Sequence, residues 1–145
     1  MFNKIKEKKG GFTLVELIIV LVILAVLAAF LVPTLTGYVD KANDTALVSE
    51  TRLAVMAAQS LADEVYATGG TPKYDLQNNT GNVTNADIKA LAEVEGTIKT
   101  ITFDTTNTSK IATLTYTSKD GKKQCDYTLT PAAGKEKYEV KKVTN

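Results

Sequence analysis

KKGGFTLVELIIVLVILAVLAAFLVP, residues 8–33, holds sixteen consecutive apolar residues from Leu17 to Val32 and one carboxylate, Glu16, just ahead of them. As a helix, Phe12–Val32 would span roughly 30 Å at about 1.5 Å per residue, enough to cross the hydrocarbon of a bilayer. The Leu, Ile, Val and Phe side chains of Leu17–Val32 contribute about −4 to −8 kcal/mol to insertion, at roughly −0.3 to −0.6 kcal/mol each. One acidic residue costs on the order of 3 kcal/mol at the bilayer centre and less near an end, so insertion survives Glu16. Lys4, Lys6, Lys8 and Lys9 precede the run, and clustered lysines hold their side of a span in the cytoplasm. A conventional secretory signal would be shorter and would carry a small-residue cleavage site after its apolar stretch. Here the run is longer, and the small residues Gly10 and Gly11 stand before it.

Composition closes off most catalytic chemistry. The chain has 145 residues, no histidine and a single cysteine, Cys125. A His/Cys zinc site and an intrachain disulfide are thereby excluded within one chain, and so are His-dependent triads. No cofactor is expected and no enzymatic constellation is supported by spacing. The net charge of +1 comes from the leading lysines; from Phe12 onward the chain carries 13 basic and 15 acidic side chains. With no basic patch interleaved with aromatics, nothing points to nucleic-acid binding.

Lys9-Gly10-Gly11-Phe12-Thr13-Leu14-Val15-Glu16-Leu17 closely resembles the class III signal of type IV pilins and pseudopilins, in a type IVa-like form. The resemblance implies cleavage between Gly11 and Phe12 by a membrane-embedded prepilin peptidase, and N-methylation of the new terminal Phe12. It implies that subunits leave the membrane and polymerise through their N-terminal helices with the help of pilus assembly machinery, into a helical filament that is a homo-oligomer. Phe12 and Glu16 are then the assembly residues, with the Glu16 carboxylate of one subunit meeting the Phe12 amine of the next. The physical chemistry fits. Glycine suits an extended approach to a protease, and cleavage makes a cation four residues from Glu16. Two unit charges about 4 Å apart attract by roughly 4 kcal/mol at an effective dielectric near 20, before desolvation. Glu16 also has a simpler reading, as an acid in the first helical turn favoured by roughly 0.3–1 kcal/mol. Pro33 matches the family's common proline; lacking an N–H, it is expected to kink the helix, and the resemblance adds local loss of helix around residues 25–33 in the fibre. The lone Cys125 departs from members that close a C-terminal loop with a disulfide, and points to a Gram-positive, clostridia-like member.

Beyond the anchor, Val39, Ala42, Ala46, Leu53, Met56, Ala57, Leu61 and Val65 recur at helical spacing and predict an amphipathic helix ending near Tyr66, stopped by Thr68-Gly69-Gly70. Gly69–Asn85 reads as a long loop, and Ala86–Val94 as a short helix capped by Thr84 or Asn85 and stopped at Gly96. Strands are predicted at Ile98–Phe103, Ile111–Thr117, Gln124–Thr130 and Tyr138–Val143, with a turn at Asp120-Gly121. The expected fold class is α+β: one long helix packed against a three- or four-stranded antiparallel sheet, the lollipop of the pilins. The expected segments are a cleaved basic leader (1–11), an apolar assembly helix (12–33), an amphipathic helix (34–67), a loop with a short helix (68–96), and the sheet with a C-terminal tail (97–145). Asp120 and Asp126, which could ligate calcium, read better as a turn residue and a strand residue. Lys135, Lys137, Lys141 and Lys142 read as a solvated edge that repels strand pairing.

Two structural functions follow. The first is a pilin anchored in the cytoplasmic membrane as a single-pass precursor, then carried to the surface in a pilus serving adhesion, twitching motility or contact. The alternative is a pseudopilin of a type II secretion or competence (DNA-uptake) system.

Overall fold

A computed structural model describes residues 10–74 and 81–143; Lys4, Lys6, Lys8 and Lys9 therefore lie outside the described residues. The chain divides into two compact units at the boundary between Lys41 and Ala42. One helix, α1 (Leu14–Ala67), contributes to both. In the first unit every described side chain is exposed, including the whole apolar run. The helix runs through Pro33 without a break. The Thr34 hydroxyl donates to the Phe30 carbonyl at 3.1 Å and the Thr36 hydroxyl to the Pro33 carbonyl at 2.9 Å, each satisfying its hydroxyl on its own helix.

The second unit holds the core. Residues 42–67 of α1, then α2 (Asn85–Ala92) and a four-stranded antiparallel sheet, β1 (Thr97–Phe103), β2 (Ile111–Thr117), β3 (Lys123–Thr128) and β4 (Tyr138–Lys142), follow in chain order. The strands lie in the sheet in that same order, β1-β2-β3-β4. The core joins Leu47, Ala54, Ala58 and Ala62 of α1 to Ile98, Leu114, Tyr116 and Cys125 of the sheet and Ile88 of α2. Two bulges set which strand residues face it. Ile98 pairs with Tyr116 but Thr100 with Thr115, so Lys99 is the extra residue and both Ile98 and Ile101 turn inward. Thr102 pairs with Thr113 but Phe103 with Ile111, which brings Ile111 onto the buried face although simple alternation points it outward.

The helix buries a different stripe from the one predicted. Leu47, Thr51, Ala54, Val55, Ala57, Ala58 and Ala62 are buried, whereas Val39, Ala42, Ala46, Leu53 and Met56 are exposed. Only Ala57, with the half-buried Leu61 and Val65, was placed correctly. The reason is close approach: alanines let the helix backbone sit near the sheet, and buried Thr51 satisfies its hydroxyl on its own helix by donating to the Leu47 carbonyl at 2.7 Å. At the other end of α1 the expected stop holds. Gly69 adopts a left-handed φ of 80° and the Gly70 N–H returns to the Val65 carbonyl at 3.0 Å.

One further expectation is corrected. Helix α2 ends at Glu93, which takes the left-handed conformation at φ 53°, and not at Gly96. Gly96 instead lies where a Cβ would collide with the Tyr116 ring and the Thr117 carbonyl. The segment read as loop before α2 also contributes to the core, since Val83 is fully buried; Asn82 fixes it by accepting from the Lys73 N–H at 2.7 Å and donating to the Thr71 carbonyl at 2.9 Å. The β2–β3 turn is as predicted, with Gly121 at φ 72° and the Asp120 carboxylate accepting from the Ser118 hydroxyl at 2.6 Å. Asp126 is a strand residue that accepts from the Thr115 hydroxyl at 2.9 Å and pairs with Lys141 at 3.1 Å.

Candidate functional site

Gly10, Gly11, Phe12 and Thr13 precede the first helical residue, Leu14, and are exposed. Phe12 is 87% exposed. The bond between Gly11 and Phe12 thus lies in non-helical backbone, with nothing within 4 Å of a Cβ built on either glycine. That is the accessibility a protease needs, and it sits two residues ahead of α1.

The Glu16 carboxylate is already engaged. Its Oε2 accepts from the Thr13 backbone N–H at 2.9 Å and from the Thr13 hydroxyl at 3.0 Å, while the Glu16 N–H donates to the Thr13 hydroxyl oxygen at 3.3 Å. The Leu17 N–H closes the first turn on the Thr13 carbonyl at 3.2 Å. This reciprocal pattern is a capping box: each of two residues satisfies a donor that the helix terminus would leave orphaned. Thr13 is the site residue that sequence reading missed, although Thr-x-x-Glu ahead of an apolar run is the signal for it. Both carboxylate bonds fall on Oε2, and among the described residues Oε1 accepts none. Glu16 thus stands in the first turn of α1, bonded to Thr13.

From Leu14 to Val32 the helix is exposed on all sides; it is the one described helix long and apolar enough to cross a membrane. Such a surface is not stable in water and needs lipid or other helices around it. Among the described residues no group of three or more His, Cys, Asp or Glu side chains is placed to hold a metal ion. Cys125 is buried in the sheet, and burial pushes its thiol above the usual range, away from the reactive thiolate. The lysine edge is partly paired, Lys141 with Asp126 and Glu139 at 3.1 Å each, and Lys137 lies 5.4 Å from the Tyr127 ring centre.

Fold and site together define a class: a small α+β domain carried on a long helix that is apolar all round at its start. The model of the prokaryotic N-terminal methylation motif matches residues 7–32. A fimbrial protein of Pseudomonas aeruginosa is 33% identical over 145 residues, covering 91% of this chain and 94% of that protein. The type IV major fimbrial protein FimA of Dichelobacter nodosus is 37% identical over 94 residues, 63% of this chain and 56% of that one. The type II secretion system core protein G of Escherichia coli (strain K12) is 33% identical over 87 residues, 60% of this chain and 51% of that one. No solved structure is matched. The chain belongs to the type IV pilin family, whose members are structural subunits of filaments.

Proposed function

We propose that this chain is the precursor of a fibre subunit, cut between Gly11 and Phe12 by a prepilin peptidase, methylated at the Phe12 amine, and polymerised through residues 12–33. The observation that carries the reading is the position of Glu16. It is the single charge in the apolar part of α1, it lies one turn from the terminus that cleavage creates, and both of its bonds among the described residues fall on one oxygen. An ammonium on a neighbouring copy would meet the other oxygen at only one axial stagger, so the pair sets register as subunits leave the lipid. Lysines before the run place the precursor's N-terminus in the cytoplasm, and the second unit is then exported. Pro33 supplies the weak point at which the helix opens in the fibre, since its missing N–H lowers the local cost of melting. The fibre serves adhesion, motility or surface contact.

The test is Glu16→Ala, followed by blotting for cut precursor in membranes and by electron microscopy of surface fibres. The variant is expected to insert and be cut normally while fibre yield falls at least about tenfold; unchanged yield overturns the register role. The likeness to the secretion protein over 60% of the chain favours a second reading, a short pseudopilus confined to the envelope. The same micrographs separate the two: long surface fibres support the pilin, and label confined to the envelope supports the pseudopilin. The match along 91% of the chain to a fimbrial protein supports the first.

A further inference from the structure

The two edges of the sheet are finished differently. On β1 a bulge at Lys99 breaks the ladder and the Tyr74 hydroxyl donates to the Ile98 carbonyl at 3.2 Å, so that edge is both bent and covered. Strand β4 has neither device. It pairs with β3 in unbroken register from Lys142 opposite Lys123 to Tyr138 opposite Tyr127, and among the described residues no strand lies beyond it. The bonds that flank β4 fix which of its backbone groups look outward. The Lys137 carbonyl accepts from the Thr128 N–H at 3.0 Å, and the Val143 N–H donates to the Lys122 carbonyl at 2.9 Å, both toward β3. Alternation along an antiparallel strand then turns the backbone groups of Glu139 and Lys141 to β3 as well. Those of Tyr138, Val140 and Lys142 are left directed away from the sheet. Such a row is a template for another strand.

The charges on β4 select its partner. Antiparallel pairing of two β4 strands that engages two or more of these outward residues must centre on Glu139, Val140 or Lys141. Centring on Glu139 sets glutamate opposite glutamate, and centring on Lys141 sets lysine opposite lysine; both are destabilising. Centring on Val140 engages all three outward residues and sets each Glu139 opposite the Lys141 of the other copy. Within one chain Lys141 lies 3.1 Å from Glu139 and 3.1 Å from Asp126. The four charges of the seam then alternate in sign, and each keeps its own partner while gaining another. Tyr138 and Val140, half-buried against the core, carry the apolar layer across the seam. The lysines that read in sequence as a bar to strand pairing thus bar the wrong registers. We infer that β4 is a pairing edge for β4 of a second copy of this chain, in the register centred on Val140. Its consequence rests on the polymerisation reading: the contact is two-fold, whereas copies along one fibre follow a screw, so it joins subunits of neighbouring fibres side by side. Two five-residue strands bury far less than the about 1,200 Å² of a stable pair, so single subunits stay apart and repetition of the edge along a fibre supplies the avidity.

The experiment introduces one cysteine into the full chain, as Glu139→Cys, Val140→Cys or Lys141→Cys, and oxidises the sheared fibres mildly; the parent, with only buried Cys125, gives the background. Directly opposed residues bring their Cα atoms to about 5.5 Å, within reach of a disulfide, and a shift of two residues takes them beyond it. Val140→Cys is expected to give dimers on non-reducing gels, the other two none by themselves, and a mixture of Glu139→Cys with Lys141→Cys fibres a dimer again. Charge exchange reads the same seam by electron microscopy. Parent fibres are expected in bundles, and Glu139→Lys or Lys141→Glu should each cut bundling at least about tenfold at unchanged fibre yield. Mixing those two variants restores both unlike pairs and should restore the bundles. Parent fibres that lie single, no dimer from Val140→Cys, equal dimers from all three cysteines, or bundling indifferent to charge reversal each overturn the seam while polymerisation stands. A parent without fibres overturns polymerisation instead, and Val140→Cys dimers in the membrane fraction then decide the strand contact by themselves.

Discussion

Tyr116 shows how one residue ties together elements distant in sequence. It lies fully buried in β2, and its hydroxyl accepts from the Gly96 N–H at 2.7 Å and donates to Glu50 Oε2 at 2.9 Å. The turn after α2, the sheet and α1 therefore meet at one oxygen. Burial first, and the bond to Glu50 second, push its ionisation far above the usual tyrosine range. Removing the hydroxyl leaves a buried N–H without its acceptor, which costs about 1–3 kcal/mol. Tyr116→Phe should lower stability by that amount in chemical denaturation of the detergent-solubilised chain, with no change in cleavage. A loss below about 0.5 kcal/mol would mean that water replaces the hydroxyl. Gln59 makes a similar clamp, donating to the Ser109 carbonyl at 2.7 Å and accepting from the Ile111 N–H at 3.0 Å. Neither role leaves a local pattern in sequence, because the partners stand many positions away.

At the scale of the element, α1 serves two surfaces with opposite choices of side chain. Toward the sheet it presents mostly alanine; away from it stand Leu53 and Met56. Hydropathy alone inverts this, since large apolar residues read as core. Ala58 has no exposed surface, so Ala58→Leu should overpack the contact and cost about 1–3 kcal/mol. Met56→Leu, on the open face, should change the stability of the single chain by less than about 0.5 kcal/mol. Thermal melts of the two variants side by side decide the matter; equal losses would return Met56 to the core. The bulges at Lys99 and Ala112 are the sheet's counterpart, since each moves an isoleucine to the face that α1 covers.

For the whole molecule, acid sensitivity follows from its loops. Asp104 is held below the usual range by the backbone N–H groups of Asn107 and Thr106, and Asp120 by the Ser118 hydroxyl and the Lys122 N–H. A carboxylate whose folded pKa is depressed stabilises the fold above its unfolded value, near 3.9, and loses that contribution as pH falls through the folded value. Tyr116 has the opposite sign: its contribution is complete below about pH 10 and is lost as pH rises beyond. The unfolding midpoint should therefore vary little between about pH 5 and 9, decline below about pH 4 and decline again above about pH 10. Circular-dichroism melts across that range measure it, and Asp104→Asn with Asp120→Asn should flatten the acid limb. An acid limb of undiminished slope would move the cause to other carboxylates.

What the sequence determined by itself was local: a run of apolar residues long enough to span a bilayer, a Gly-Phe junction ahead of it, a carboxylate one turn in, and four strands separated by turn residues. Such features depend on neighbours a few positions apart, so periodicity and spacing carry them. The pairing of Thr13 with Glu16 was legible in the same way. Tertiary structure decided which face of α1 meets the sheet, which isoleucines the bulges turn inward, why Gly96 admits no side chain, and that the loop before α2 lends Val83 to the core. Those outcomes depend on close approach between surfaces far apart in the chain. There the volume left by an alanine counts for more than the hydrophobicity of a leucine or a methionine.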